Sequence, residues 1–342
     1  MNLMNPLFLK LATRRPRDSG ALVLSGEKAA LADATSVLVR GLALAALVAS
    51  SPVVLASCPV SGGAIEFNYA SEKAPLLVVT GRIDGEEATV VVDTGGSAPF
   101  DVFLSPRQAQ KHELVLSEEI TPPDTTAVGP SRQTYRTTTL PKFSLGPVHL
   151  SNLNVAVVPM IDAMEAQVGR RIDAIVGQQF LRGRRVMIDY GRRILDLQGL
   201  EGSSDDAIAF TFAARKPLLL IPVIVNGQGP FQMEIDTGAT RTSLSPDAAR
   251  RAGIAVSGSG VLVGAGGPVS VALGEAELRL ASVTRRTPIA VTPSIEEISR
   301  AAGSSIDGIL GTDFLADTCL AIDYPGEKVW IMKSENPSLH RN

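Results

Sequence analysis

The chain of 342 residues contains two copies of one sequence pattern, and this duplication restricts its possible folds more than any other feature. Each copy begins with an apolar segment, a turn at Asp84-Gly85 or Asn226-Gly227, and a second apolar segment. Asp-Gly and Asn-Gly favour the tight turns of β-hairpins, because those turns require positive φ angles. Each copy is therefore predicted to open with a hairpin whose return strand ends at an Asp-Thr-Gly tripeptide.

The Asp-Thr-Gly tripeptide occurs at corresponding places in the two copies. The two tripeptides are Asp93-Thr94-Gly95 and Asp236-Thr237-Gly238. A single tripeptide of this kind can arise by chance or form a simple turn, in which the aspartate binds backbone amides. Two of them in register, each after an apolar strand, indicate a function. Duplicated units commonly pack about a pseudo-two-fold axis, which would bring Asp93 and Asp236 face to face.

Further matching elements follow in the same order in both copies. Ser105-Pro106 and Ser245-Pro246 each predict a helix start, with serine as the cap and proline in the first helical position. An apolar segment then ends at Gly177 in one copy and at Gly311 in the other. The order of elements predicts a mainly β fold with a few short helices, in which two similar units pack about a pseudo-two-fold axis. The predicted boundaries are a targeting segment over 1–58, a first lobe over 64–200 and a second lobe over 207–333.

Two aspartates in contact would have a specific chemistry. They cannot both ionise cheaply, so they share one proton, and the two apparent pKa values belong to the pair. One carboxylate can then act as a base towards a water molecule, while the other, protonated, polarises a substrate carbonyl. Such a pair could hydrolyse an amide without a covalent intermediate.

The paired motifs resemble those of retropepsin-like and pepsin-like aspartic peptidases. In both copies a hydrophobic residue directly precedes Asp-Thr-Gly, and two hydrophobic residues precede a later glycine. The similarity covers nearly everything after residue 70 and is closer to bacterial retropepsin-like peptidases with two such units in one chain. It implies two similar retropepsin-like β-barrel lobes related by a pseudo-two-fold axis. It also implies that Thr94 and Thr237 interlock across the interface between the copies. It also implies supporting roles for four glycines, which let the active-site loops approach or brace the aspartates from behind: Gly95, Gly238, Gly177 and Gly311.

The resemblance further implies a hairpin in each copy that covers the substrate. The second hairpin is predicted near 263–268, where Gly264, Gly266 and Gly267 suit a mobile tip. The first is predicted between residue 128 and Tyr135, with a much weaker signal. These four residues are the predicted substrate-binding positions.

Two features depart from the family pattern. The first copy carries three extra residues around 96–99, beside Asp93, which could set that aspartate differently. Pepsin-like enzymes usually have a hydroxyl after Asp-Thr-Gly, but Gly96 and Ala239 stand there in this chain. A hydroxyl bonded to the carboxylate favours its charged form, so the absence predicts a pH optimum less acidic than that of pepsin. Ser97 or Thr240 could supply the bond instead.

The N-terminal region predicts export. Several basic residues precede an apolar run over 41–55, which is short for a membrane span and suits a secretory signal. Leu55-Ala-Ser-Cys58 resembles the bacterial lipobox, which predicts lipidation of Cys58 and a periplasmic or cell-envelope lipoprotein with a membrane tether. The alternative is a plain signal peptide with Cys58 incidental.

Two cysteines cannot form a disulfide framework, and Cys319 is most simply interpreted as a small buried hydrophobic residue.

Composition excludes several other classes of function. A formal net charge of −3 and a pI near 5.8 give no reason to expect a nucleic-acid partner. Three histidines far apart predict neither a metal site nor a serine or cysteine triad. Gly264-Ala-Gly-Gly267 lacks the Lys-Ser/Thr of a phosphate loop. We therefore expect no cofactor and no metal.

These features together predict an aspartic endopeptidase that acts on extended segments of a peptide or protein, with Asp93 and Asp236 as catalytic residues. The leading arrangement is a monomer with a pseudo-dimeric site. A non-catalytic peptide-binding module on the same fold is the alternative, favoured only by the insertion beside Asp93. In a third arrangement, each copy would pair with its twin in another chain and give a dimer with the same chemistry.

Overall fold

The structure, a computed structural model, describes residues 58–123, 127–199 and 206–334. The predicted signal, most of the predicted lipobox and residues 200–205, at the boundary between the two predicted lobes, lie outside these residues. The described residues form 20 strands and six short helices, so the fold is mainly β as predicted. In this part of the chain, every helix is too short or too polar to span a membrane.

The first copy contains nine strands and three helices. They are β1 (Ile65–Tyr69), β2 (Leu77–Ile83), β3 (Glu86–Val92), β4 (Val102–Leu104), α1 (Pro106–Lys111), β5 (Arg136–Leu145), β6 (Val148–Val157), α2 (Met160–Val168), β7 (Ala174–Val176), α3 (Gln178–Leu181), β8 (Arg185–Asp189) and β9 (Ile194–Asp196).

The second copy repeats this order within eleven strands and three helices. They are β10 (Ile208–Ala209), β11 (Thr211–Phe212), β12 (Leu219–Val225), β13 (Gln228–Ile235), β14 (Ser243–Leu244), α4 (Pro246–Arg251), β15 (Gly258–Gly264), β16 (Gly267–Leu280), β17 (Val283–Val291), α5 (Ser294–Ala302), β18 (Gly308–Leu310), α6 (Thr312–Leu315), β19 (Thr318–Asp323) and β20 (Lys328–Lys333).

The two opening hairpins have the turns that their sequences favour. Asp84 and Gly85 connect β2 to β3 with φ angles of 48° and 89°. Asn226 and Gly227 connect β12 to β13 with φ angles of 49° and 73°. Positive φ at both central residues matches the right-handed twist of the flanking strands, which is why these residue pairs are preferred.

Helices α1 and α4 begin as their Ser-Pro sequences predict. The Ser105 hydroxyl accepts a hydrogen bond from the backbone N–H of Gln108 at 3.2 Å. The Ser245 hydroxyl accepts one from the N–H of Ala248 at 3.1 Å. Each bond satisfies a backbone donor that the first helical turn leaves without a partner.

Each copy folds into a six-stranded barrel. In the first copy the strand order is β2-β3-β7-β4-β6-β5, and the pairing of β2 with β5 closes the sheet. In the second copy it is β12-β13-β18-β14-β17-β16, closed by β12 with β16. The strands that end at the two aspartates, β3 and β13, each run parallel to the strand that precedes a bracing glycine, β7 and β18.

A sheet built from both copies joins the lobes. Strands β8 and β19 pair antiparallel in its centre, with Met187 directly opposite Ala321. These two residues hold the same place in their respective copies, and so the pairing of β8 with β19 has two-fold symmetry about this point. The fold therefore consists of two similar retropepsin-like lobes related by a pseudo-two-fold axis, which confirms the predicted fold class.

Apolar side chains form one large core that runs through both lobes, with a smaller cluster in each lobe near the aspartates. The smaller cluster of the first lobe includes Val91, Phe100 and Ile161 of α2. The matching cluster of the second lobe includes Leu220 and Ile298 of α5. Burial of such side chains is the main stabilising contribution to both lobes.

A disulfide joins Cys58 to Cys319 across 261 residues of sequence. Both side chains are buried, with 6% and 1% of their surface exposed, and the two Cα atoms are 6.3 Å apart. Cys319 is buried as predicted, and the structure adds its disulfide to Cys58, which the sequence did not indicate. One sulfur cannot carry a lipid thioether and a disulfide in the same molecule, so this bond excludes the predicted lipidation of Cys58 wherever it forms.

Candidate active site

The two aspartates follow matching strands and are held in matching ways. Asp93 comes directly after β3, and its backbone N–H donates to the carbonyl of Val176 at 3.0 Å. Asp236 comes directly after β13, and its N–H donates to the carbonyl of Leu310 at 3.1 Å. Because Val176 and Leu310 end the central strands β7 and β18, both aspartates are fixed by the rigid interior of their barrels.

The structure brings Asp93 and Asp236 together where the lobes meet. A Cβ atom placed on Gly95 would lie 2.6 Å from the carboxyl carbon of Asp236. One placed on Gly238 would lie 2.5 Å from Oδ1 of Asp93. Each loop therefore approaches the opposite carboxyl so closely that only glycine fits, and the two carboxyls hydrogen-bond to each other.

Backbone amides orient the two carboxylates symmetrically. Oδ1 of Asp93 accepts hydrogen bonds from the N–H groups of Gly95 and Gly96, at 2.8 and 3.1 Å. Oδ1 of Asp236 accepts them from Gly238 and Ala239, at 2.7 and 3.2 Å. The three extra residues of the first copy thus leave the amide contacts of Asp93 equivalent to those of Asp236.

The electrostatic environment favours a shared proton. Burial raises the pKa of Asp93, and its hydrogen bonds from Gly95, Asp236 and Gly96 oppose the rise. Burial raises the pKa of Asp236 well above the ordinary aspartate value, and the nearby charge of Asp93 raises it further. Two half-buried carboxyls that touch cannot both ionise cheaply, so the pair holds one proton over a wide pH range.

Thr94 and Thr237 interlock across the interface between the lobes. The Thr94 hydroxyl donates to the carbonyl of Ile235 at 2.8 Å and accepts from the N–H of Thr237 at 3.0 Å. The Thr237 hydroxyl donates to the carbonyl of Val92 at 2.8 Å and accepts from the N–H of Thr94 at 3.0 Å. All four bonds are buried, and they hold the two aspartate loops in register.

Thr94→Val is expected to lower the free energy of unfolding by about 2–4 kcal/mol, since it leaves a buried carbonyl and a buried N–H without partners. Thr94→Ser keeps the hydroxyl and should recover most of that loss. Thr139→Val removes a hydroxyl from an exposed position on β5 and serves as the matched control. Urea unfolding measures the free energy of unfolding of all three variants. A Thr94→Val protein as stable as the wild type would show that the interlocked threonines do not stabilise the fold.

Gly177 and Gly311 lie directly behind the aspartate loops. A Cβ atom on Gly177 would be 2.5 Å from the carbonyl oxygen of Gly96, and one on Gly311 would be 2.7 Å from the carbonyl carbon of Arg241. Side chains at these positions would push the loops forward. Both glycines are thus placed where the sequence predicts braces.

Sequence reasoning missed a set of buried polar side chains behind the two aspartates. Gln178 donates from its side-chain amide to the carbonyl of Thr94. Burial raises the pKa of Tyr324, and the charge of Asp93 raises it further. Burial also raises the pKa of Tyr190, with smaller contributions from Tyr69 and Asp236. Each tyrosine therefore lies near the aspartate of the opposite copy. The Asp-Tyr dipeptide that both copies share, at 189–190 and 323–324, was the available signal.

The two predicted covering segments contact each other. In the second copy, β15 and β16 form a hairpin with its tip at 265–266. In the first, the segment 127–134 has no strand, and only a bridge between Ile120 and Tyr135 marks its base. Gly266 donates its N–H to the carbonyl of Val128, and its carbonyl accepts from Ser131, both at 2.8 Å. Gln133 donates to the carbonyl of Ala265 at the same contact.

The other predicted covering residues lie around these segments. Gly264 and Gly267 end the strands at the hairpin tip, where a Cβ on Gly264 would lie 2.6 Å from that of Val128. Tyr135 lies below the tip, with its ring 5.4 Å from that of Phe100 in an edge-to-face contact. The segments therefore meet tip to tip, and we name 127–134 the first flap and 264–267 the second flap.

Among the described residues, ligand atoms of Cys58, Asp189 and Cys319 lie within 4.8 Å of one another, a spacing that a metal ion could bridge. Both sulfurs are engaged in the disulfide. Asp189 accepts hydrogen bonds from Arg192 at 2.6 and 2.8 Å and from Ser334 at 2.7 Å. This group therefore offers no free ligands to a metal.

Two β-barrel lobes with an aspartate from each at their junction define the architecture of an aspartic peptidase. The sequence model of the aspartyl protease family matches the chain twice, over 79–180 and 221–314, and the chain belongs to this family. Each match includes one Asp-Thr-Gly loop and one bracing glycine. No curated protein was found to match the chain.

Proposed function

We propose that the protein is an aspartic endopeptidase that hydrolyses peptide bonds with a water molecule activated between Asp93 and Asp236. The observation that supports this most is the pair of half-buried, mutually hydrogen-bonded carboxyls, each held by two backbone amides of its own loop. A structural role alone does not require two unpaired acids in contact, because such a contact destabilises the fold when both are charged.

In this mechanism the two aspartates have different roles. One aspartate of the pair holds the shared proton and donates it towards the substrate carbonyl oxygen. The other aspartate is charged and takes a proton from the attacking water. The resulting tetrahedral intermediate collapses when the leaving nitrogen is protonated, and the pair returns to its singly protonated state.

Substrate binding requires the flaps to separate. Three hydrogen bonds join the first flap to the second, so a peptide reaches the aspartates only when these bonds break. An extended peptide can replace them, because its backbone offers the same donors and acceptors to the flaps. This supports extended peptide segments as the substrate.

We also propose that the protein works in an oxidising compartment outside the cytoplasm. Disulfides form and persist in the periplasm and in other oxidising compartments and are rare in the cytosol. The buried bond between Cys58 and Cys319 therefore supports export, together with the apolar N-terminal run. The proposal includes no lipid tether through Cys58.

The pH–rate profile is expected to be bell-shaped, with its maximum above pH 3. Activity requires one proton on the pair, and it falls on the alkaline side when the raised pKa of Asp236 is passed. Because burial and the charge of Asp93 move that pKa upward, the alkaline limb lies above the ordinary aspartate value of 3.8. Measuring kcat/KM from pH 2 to pH 8 tests this, and a maximum below about pH 3 would contradict it.

A fluorogenic peptide library tests the function itself. The purified protein, with Cys58 and Cys319 oxidised, is incubated with the library from pH 3 to pH 8, and cleavage sites are read by mass spectrometry. We expect cleavage within extended peptides. A folded protein that binds peptides and cleaves none at any pH would instead be a non-catalytic binding module.

A further inference from the structure

Glu234 is a buried carboxyl beside the aspartates to which the mechanism assigns no role. It lies on β13, two residues before Asp236, so the two side chains project from the same face of the strand. Only 3% of its surface is exposed. The corresponding residue of the first copy is Val91, and the carboxyl is therefore a feature of the second lobe alone.

Within residues 58–123, 127–199 and 206–334 no hydrogen bond or ion pair of the Glu234 carboxyl is found, and its oxygens are not among the fully enclosed polar atoms that lack a partner. Its strand neighbours are apolar, with Leu220 opposite on β12 and Ile309 opposite on β18. Both belong to the apolar cluster under α5. Burial raises the pKa of Glu234 well above its usual range, and the charges of Asp236 and Asp93 raise it further. A carboxyl in such apolar surroundings is costly to ionise unless a cation reaches it, and a charged ligand would supply that cation.

The cluster around Glu234 borders the substrate cleft. Ala239, in the aspartate loop, packs against it from one side. Val128, at the tip of the first flap, packs against it as well. The same Val128 accepts the hydrogen bond that joins the flaps. When the flaps separate, Val128 must leave, and the cluster then loses its cover on the side of the cleft.

We propose that Glu234 is a specificity-determining residue that selects a lysine or arginine side chain of the substrate in a subsite of the second lobe. The apolar walls of this subsite would take the methylene groups, and the carboxylate would take the charged end. The corresponding cluster of the first lobe has Val91 and Phe100 and suits a hydrophobic side chain. This inference rests on the proposed peptidase function and adds its substrate class.

The test compares matched peptides that differ only at the positions flanking the cleaved bond, with lysine, leucine or glutamate in turn. The wild type should favour lysine at one position by at least ten-fold in kcat/KM. Glu234→Gln should lose at least ten-fold on the lysine peptide and change less than about two-fold on the leucine peptide. Glu234→Val, which copies Val91, should favour leucine. Glu277→Gln removes the same charge from an exposed position and should behave as wild type.

Two outcomes of this comparison would overturn the proposal. One is a wild type with no preference for a basic side chain at any flanking position. The other is a Glu234→Gln protein that loses activity equally on all peptides, because Glu234 would then act on the aspartates and not on specificity.

A binding measurement separates this inference from the peptidase function. Fluorescence anisotropy with uncleavable reduced-amide peptides reports binding whether or not hydrolysis occurs. Tighter binding of the lysine peptide by at least ten-fold, lost in Glu234→Gln, would support the subsite even if no peptide is cleaved. Equal binding of lysine and leucine peptides would overturn it even if both are cleaved.

Discussion

Asp93→Asn and Asp236→Asn should each lower kcat for peptide hydrolysis by about 10³-fold or more, with KM changed much less. Asparagine nearly preserves the shape of the side chain but neither accepts a proton from water nor donates one to the substrate, and general acid–base catalysis contributes about 10²–10⁴-fold. Both residues contribute to one site, so the double variant should be no less active than the more impaired single variant.

Thermal unfolding shows whether such variants remain folded. A carboxyl with a raised native pKa contributes stability that is fully present below its unfolded pKa and is lost as the pH rises through the native pKa. The pKa of Asp236 is raised well above 3.8, so at pH 7 the wild type is in the destabilised range. Asp236→Asn should therefore unfold at a temperature equal to or above that of wild type at pH 7, and the advantage should shrink towards pH 4.

The comparison of the two variants also tests the pseudo-dimeric site. If only one substitution abolished cleavage, the two copies would not share one site, and pairing of one copy with its twin in another chain would become the better explanation. Size-exclusion chromatography with light scattering would then show a dimer.

Loss of the disulfide should lower the free energy of unfolding by about 3–5 kcal/mol. The bond spans 261 residues, and a bond that closes so long a loop greatly restricts the unfolded chain. It also holds the start of the described chain against β19, near the centre of the sheet that joins the lobes. Urea unfolding of Cys319→Ser, compared with wild type in the presence and absence of dithiothreitol, measures the effect.

Cys58→Ser and the double variant serve as controls. Each single variant should lose the same stability, and the double variant no more, because any of them removes the whole bond. Intact-mass spectrometry of exported protein then distinguishes the two fates of Cys58. A disulfide lowers the mass by two hydrogens, whereas lipidation adds acyl chains. Acylated Cys58 together with a Cys319→Ser protein of unchanged stability would show that the disulfide does not form in the cell.

Local sequence was sufficient to predict the strands, turns and helix starts of the fold and the two aspartates at the centre of the candidate site. Asp84-Gly85 and Asn226-Gly227 form their turns because positive φ is a property of those residues themselves. Ser105 and Ser245 cap their helices for a similarly local reason. The repeat placed Asp93 and Asp236 together because duplicated units pack about a common axis, whatever their detailed packing.

Only the tertiary structure decided which residues from distant parts of the chain meet. The disulfide, the contact between the flaps and the position of each tyrosine near the opposite aspartate all depend on how two lobes pack. Glu234 shows the same limit, since its sequence neighbours do not reveal that its carboxyl lies in an apolar cluster beside the aspartates. The sequence by itself determined the strands, the turns and the pair of aspartates, because these follow from local backbone preferences and from the repeat. The surroundings of the pair follow from packing between residues more than a hundred positions apart, and no local pattern records that packing.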